Sequence, residues 1–294
     1  PPFIQAAGDF GIAGISTTIP QEDAFLADFV FERQNIRKMA VLVWDAPWSV
    51  EHRNGFVARF EQNGGKIVFD ETISIDETDF RTITQKIKAS GAQGVFVVAL
   101  NFQNAAFVKQ FRENGLEIPV FGQFEIQDPA FLEPAGDAAE GVMYVYPKID
   151  SSNPKTKAFI QKYTKRFGST PNYYAFIGYD SVQLYDSAIS ACNGTDSQCV
   201  VNWIRLAQNF PGVSGNMTFN PDQTISREFE IKTVRNGAFV AYANWLFFCD
   251  FPKMLKIIAM RIADFLARNN NIIHGVFPNR NQHAVAINGR RGRT

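Results

Sequence analysis

From Lys38 onward, short apolar runs alternate with segments whose apolar residues recur every three or four positions. "MAVLVW" (Met39–Trp44) leads into a helical pattern near Val50–Gln62. "KIVFDETI" (Lys66–Ile73) leads into a helix striped with Phe80, Ile83 and Ile87, and "GVFVVAL" (Gly94–Leu100) into one with Phe107 and Phe111 four apart. The first and third runs are continuously apolar, the pattern of strands covered on both faces. Strands alternating with helices predict an α/β fold with a doubly wound parallel sheet and right-handed crossovers. "PVFG" (Pro119–Gly122) and "GVMYVYP" (Gly141–Pro147) supply two more short strands. Asp79 stands where its side-chain oxygen would cap the helix that follows.

After Pro147 the pattern becomes helical. "NPKTKAFIQKYTKRFG" places Phe159, Tyr163 and Phe167 four apart and stops at Gly168 and Pro171. "NYYAFIGYDSVQLYDSAISAC" and "QCVVNWIRLAQNF" read as two further helices. The stretch from Gly215 to Val240 reads as a hairpin pair: a strand at Met217–Asn220, a turn at Pro221–Asp222, a strand at Phe229–Val234 and a turn at Asn236–Gly237.

Composition narrows the function classes. The chain has 294 residues, 46% of them hydrophobic, enough for two core-bearing lobes. Its formal charge of zero is unevenly placed: Trp245–Thr294 carries eight Lys/Arg and two Asp/Glu. The remaining body is therefore mildly acidic, which argues against a nucleic-acid partner. That basic tail, residues 241–294, reads either as an amphipathic helix for a membrane surface or partner, or as a poorly ordered extension foreign to the fold. No apolar run is long enough to span a membrane. The opening "PPFIQAAGDFGIAG" has neither an initiator Met nor a secretion signal, so the chain reads as an interior or processed piece. Cys192 and Cys199, seven apart, are either two free thiols or a small disulfide across a helix–helix turn; the second would imply an oxidising compartment.

Catalytic patterns are absent from the sequence: no HExxH, GxxxxGK[ST], GxGxxG or GxSxG, and His52, His274 and His283 have no Cys or carboxylate at ligand spacing. No metal and no cofactor are expected. The loops carry more. In an open parallel sheet, ligands sit beyond the carboxyl ends of the strands. Those ends read "WDAPW" (Trp44–Trp48), "NFQN" (Asn101–Asn104) and "QFEIQD" (Gln123–Asp128). Each offers an aromatic beside an acid or amide: Trp48 with Asp45, Phe102 with Asn101, and Phe124 with Glu125. Apolar walls with a few oriented polar groups suit a small zwitterion or amide.

With these loops in hand, the chain from about Ile4 to Val240 resembles the type I periplasmic solute-binding proteins, in the leucine/isoleucine/valine-binding branch that serves ABC importers. "TTIPQEDAFLADFVFE" is similar to the family's Arg-Thr-Ile-Pro-Ser-Asp segment and the helix after it. "VLVWDAPWSVEHRNGFVARFEQNGGKIV" resembles its strand, Asp-x-x-Tyr-Gly loop, helix and Gly-Gly turn, and "DETDFRTITQKIKASGAQGVFV" its Thr-Asp-Phe-Arg helix and next strand. "FGQFEIQDPAFLEPAGDAAEGVMYVYP", "YYAFIGYDSVQLYDSAI" and "GVSGNMTFNPDQ" continue in the same order.

The resemblance implies two Rossmann-like lobes that close on a ligand. One would hold residues 21–148 and 223–240. The other would hold residues 1–20 and 149–222, and is expected to be incomplete because the family's first strands would precede Pro1. Thr18 matches the threonine before Ile-Pro, near the ligand carboxylate. Ala6 and Ala7 fall near a strand-end loop that meets the ligand, and Trp48 where the family has a pocket-lining tyrosine. Asn101 falls where an aromatic is frequent. Ungapped counting puts Phe124, with Glu125 one residue later, at the acid that takes the ligand's ammonium. The implied function is an extracytoplasmic, non-enzymatic receptor for an amino acid, amide or urea-like solute, read by a membrane permease. The implied location is periplasmic or extracellular, with lipid anchoring through a preceding segment. A ligand-sensing ectodomain of the same fold is the alternative.

Overall fold

The computed structural model describes residues 16–242. Ala6, Ala7, most of the basic tail and the chain's first residues lie outside them. Five parallel strands form the frame: β1 (Lys38–Trp44), β2 (Lys66–Ile73), β3 (Gly94–Val98), β4 (Val120–Gly122) and β5 (Met143–Pro147). Their order is β2-β1-β3-β4-β5, and two antiparallel strands extend the β5 side: β8 (Phe229–Arg235), then β9 (Ala238–Ala241). The two continuous apolar runs are the inner strands β1 and β3, buried along their length, whereas β2 at the edge is half-buried. Burial on both faces is what a central parallel strand requires.

Helices cover both faces. On one lie α1 (Ile19–Asp28, continued by a π-helical turn Phe29–Arg33) and α2 (Pro47–Gln62). Leu26, Val30, Phe56 and Phe60 there pack with Val41, Val43 and Phe96, and Phe56 stacks on Phe96 at 4.4 Å. On the other lie α3 (Arg81–Ser90), α4 (Asn101–Glu113) and α5 (Pro129–Ala135), where Phe80, Ile83, Ile87, Phe107 and Phe111 meet Leu42, Val95 and Val97. The α1–α2 crossing is close: a Cβ on Gly55 would lie 2.5 Å from Asp23 Oδ2. Asp79 is not the cap residue itself. Phe80 occupies that position, and the Asp79 carboxylate accepts the Arg81 N–H at 3.2 Å.

The helical stretch comprises α6 (Pro154–Phe167), α7 (Tyr173–Ala191) and α8 (Ser197–Arg205), with a two-stranded sheet of β6 (Phe210–Gly212) and β7 (Gly215–Met217). Its own small core joins Leu184, Ala188, Val200, Ile204, Met217, Phe219 and Ile225. Cys192, at the end of α7, is disulfide-bonded to Cys199 in α8. The Met217–Asn220 strand is corrected here. The strand ends at Met217 and pairs with Phe210–Gly212, leaving Phe219 to form a lone bridge with Ile225. The cause is buried Asp180 of α7, whose carboxylate accepts the Val213 N–H (2.6 Å), the Ser214 N–H (2.9 Å) and the Ser214 hydroxyl. That anchor fixes the β6–β7 turn, and Gly212 beside it leaves no room for a Cβ. The Asn236–Gly237 turn does join two strands, with φ of 52° and 67°.

Candidate functional site

A cleft of about 560 Å³ opens at the carboxyl ends of β1, β3 and β4, where the topology of an open parallel sheet places ligands. Trp48 and His52 come from the first turns of α2, which starts at Pro47, a residue whose missing N–H costs nothing at a helix start. Ala99, Leu100 and Asn101 come from the β3–α4 junction, Phe124 and Glu125 from a 3₁₀ turn after β4, and Tyr174 from the start of α7. Ser16, Thr17, Ile19 and Glu22 complete the lining from the start of α1. Ser49 holds the floor together: its hydroxyl donates to the Val98 carbonyl (2.7 Å) and accepts the Trp44 N–H (3.1 Å).

Trp48, Asn101, Phe124 and Glu125 thus converge. Phe102 does not, because its side chain is half-exposed one position further along α4. Thr18 is the N-cap residue of α1, its N–H donating to Gln21 Oε1 (3.4 Å), and the neighbouring Thr17 lines the cleft instead. Trp44 packs on the α3–α5 side and meets Trp48 edge to face at 5.9 Å. Phe124 is flanked by Tyr173 at 5.2 Å and Tyr174 at 5.7 Å, giving the cleft an aromatic wall.

Beneath this lining lies a polar group that sequence spacing concealed. Asp23, fully buried, accepts from Gln123 Nε2 at 2.6 Å and contacts His52 Nδ1 at 3.0 Å. Glu22, also buried, accepts the Thr17 hydroxyl. Burial pushes the Glu22 carboxyl up to about 8, with Thr17 and His52 opposing and Glu125 and Asp23 reinforcing. Burial likewise raises Asp23 and Glu125 and lowers His52. Tyr174 is pushed up to about 12 by burial and by the carboxylates Glu125 and Glu22. Glu22 Oε2, Asp23 Oδ2, Asn101 Oδ1 and Glu125 Oε2 have no hydrogen-bond partner among the described residues. A buried polar atom left in this way costs stability unless something fills the gap.

The signal for these residues was in the helices. Asp23, Ala27 and Val30 share a face of α1, as His52, Phe56 and Phe60 share one of α2, so an acid and a histidine each sit on an apolar stripe. No group of three or more His, Cys, Asp or Glu suited to a metal ion occurs among the described residues.

Residues 16–238 match the family described as "Periplasmic binding protein". A leucine-, isoleucine-, valine-, threonine- and alanine-binding protein of Pseudomonas aeruginosa is 23% identical over 192 residues, covering 65% of this chain and 51% of that protein. A Leu/Ile/Val-binding protein homolog of Brucella suis is 28% identical over 158 residues, covering 52% and 40%. This chain therefore spans about half the length of the curated relatives it matches. The solved leucine-binding protein of Thermotoga maritima superposes with a TM-score of 0.77 at 21% identity, covering 83% of this chain and 70% of the other. A solute-binding protein of an R. palustris ABC transporter, solved with benzoate, gives 0.73 at 20% identity, covering 82% and 72%. The two superpositions speak for the fold, and the residue match assigns the family: the chain belongs to the periplasmic binding proteins, a family of solute-binding proteins and not of enzymes.

Proposed function

We propose that the chain carries the ligand site of a periplasmic solute receptor for an ABC importer, closing on a small amino-acid-like or amide solute. The observation that carries this is the cleft itself. Three strand-end loops and two helix starts bring Trp48, Asn101, Phe124, Glu125 and Tyr174 around one cavity. Its size is that of a small-molecule site, with apolar walls and few polar groups. The amino-acid-binding relatives and the leucine-binding neighbour support a solute of this class. The two lobes read from the sequence, residues 1–20 with 149–222 and residues 21–148 with 223–240, would hinge on the ligand. A membrane permease would read the closed form, and a lipid anchor on a preceding segment would hold the receptor at the membrane. No described helix is long and apolar enough to cross one.

Isothermal titration against a panel of amino acids, amides, amines and aromatic acids tests the reading. At least one solute should bind with a 1:1 stoichiometry. Trp48→Ala should weaken it at least tenfold, whereas Phe102→Ala, outside the cleft, should leave it within about twofold. Silence across the panel would sink the proposal.

A further inference from the structure

The cleft's open polar atoms share one chemistry. Among its lining residues, the buried side-chain atoms without a hydrogen-bond partner are Glu22 Oε2, Asn101 Oδ1 and Glu125 Oε2, and all three are acceptors. Glu22 is 2% exposed and lines the cleft, so its free oxygen is held dry at the ligand position. None of the described lining residues is Lys or Arg. The amino end of α1, which elsewhere would favour a ligand carboxylate, already faces Glu22 in its own first turn, and the Thr17 hydroxyl donates to that acid. The walls are Trp48 on one element and Phe124 with Tyr174 on two others, faces that attract a cation.

We propose that the cleft takes an organic cation rich in N–H donors, a primary amine or guanidine, with Glu22, Glu125 and Asn101 as acceptors and Trp48, Phe124 and Tyr174 as walls. The inference rests on reading this cleft as the solute site, and it departs from the mostly apolar amino acids of the Pseudomonas relative and the benzoate of the R. palustris neighbour. A benzoate carries acceptors only, so it gives Asn101 Oδ1 and Glu125 Oε2 no donor, and once Glu22 is ionised it brings a third anion toward two carboxylates. A guanidinium brings five N–H groups in a plane and balances the acids.

The same geometry makes binding proton-linked. Glu22 is faced by Thr17 and Asp23 from its own segment, by His52 from α2, by Glu125 after β4, and by Tyr174 of α7, while Glu51 of α2 acts on Asp23 and His52. Its carboxyl titrates at about 8, so a bound cation displaces a proton at neutral pH.

The experiment titrates the full chain with agmatine, putrescine, isoleucine and benzoate between pH 6 and pH 9. A cation should bind, with affinity falling roughly tenfold per pH unit below pH 8. The near-isosteric Glu22→Gln should bind it at least tenfold more weakly and flatten that slope. Glu125→Gln should also weaken binding at least tenfold, and thermal melting of each variant no lower than the parent's separates lost contact from lost fold. Isoleucine or benzoate binding where neither cation does would overturn this proposal and leave the receptor reading standing. Cation binding indifferent to pH and to both substitutions would overturn the placement of the cation. Silence toward all four, with silence across the wider panel, would overturn both readings.

Discussion

Two buried acids, Asp180 in the helical stretch and Glu22 at the end of the sheet, are treated in opposite ways. Both are essentially removed from solvent. Asp180 has both oxygens engaged, one by the Val213 N–H and the other by the Ser214 N–H and hydroxyl. Glu22 has one oxygen engaged by Thr17 and the other left open beside a cavity. The first is architecture: its donors belong to a turn that has nowhere else to go. The second is held by a frame with two large cores, which can bear the cost of an unfilled acceptor. Hydrogen-bond completeness, rather than burial, separates the acid that builds the fold from the one with an oxygen left open.

The sharpest break of this contrast is a pair of amide substitutions. Asp180→Asn turns an amide nitrogen toward donors that expect an oxygen, and should cost about 4 kcal/mol in urea unfolding. Glu22→Gln should act with the opposite sign. The Glu22 carboxyl moves from its ordinary 4.5 to about 8 on folding, so the folded protein holds the proton more tightly. The stability from this group is complete below pH 4.5 and is lost as pH rises through about 8. Removing the charge should therefore stabilise the protein at pH 8–9 by a few kcal/mol, with an upper bound of about 5 from the size of the shift. The gain should vanish near pH 4.5, which thermal melts at the two pH values would show.

Breaking the Cys192–Cys199 link by paired serine substitutions should cost about 2–3 kcal/mol on a chain-entropy account of so short a loop. The loss should concentrate in α7 and α8 by amide exchange, leaving the sheet's protection intact. Gly55→Ala should cost about 1–3 kcal/mol, because its Cβ would press on Asp23 at the α1–α2 crossing. The smallest effect belongs to Phe167→Ala. That side chain is 59% exposed at the end of α6, and unfolding should shift by no more than about 0.5 kcal/mol.

The strands were readable because their burial is written locally. A run such as "GVFVVAL" has no solvent face to encode, so composition alone marks it as central. The strand-end loops were readable for the same reason, since the sheet's direction says which end a ligand meets. The acid–histidine group was not readable, because Asp23 lies 29 residues from His52 and 100 from Gln123. Only the stacking of α1 on α2, and of both on the sheet, brings them together. The pairing of Met217 was misjudged because a β-turn motif at Pro221–Asp222 is a local signal. The force that decides the strand's partner is a carboxylate on a helix some thirty residues earlier.

Ser49 gives the cleft a mechanical asymmetry. By bridging the Trp44 amide and the Val98 carbonyl it staples two neighbouring strands at the end where strands ordinarily fray. The floor of the cleft is therefore braced across two strands, whereas its aromatic side rests on the ring packing of Phe124 with Tyr173 and Tyr174. Trp44 should consequently hold its amide proton as long as residues in the middle of β1, a slow clock set into the rim of the cleft.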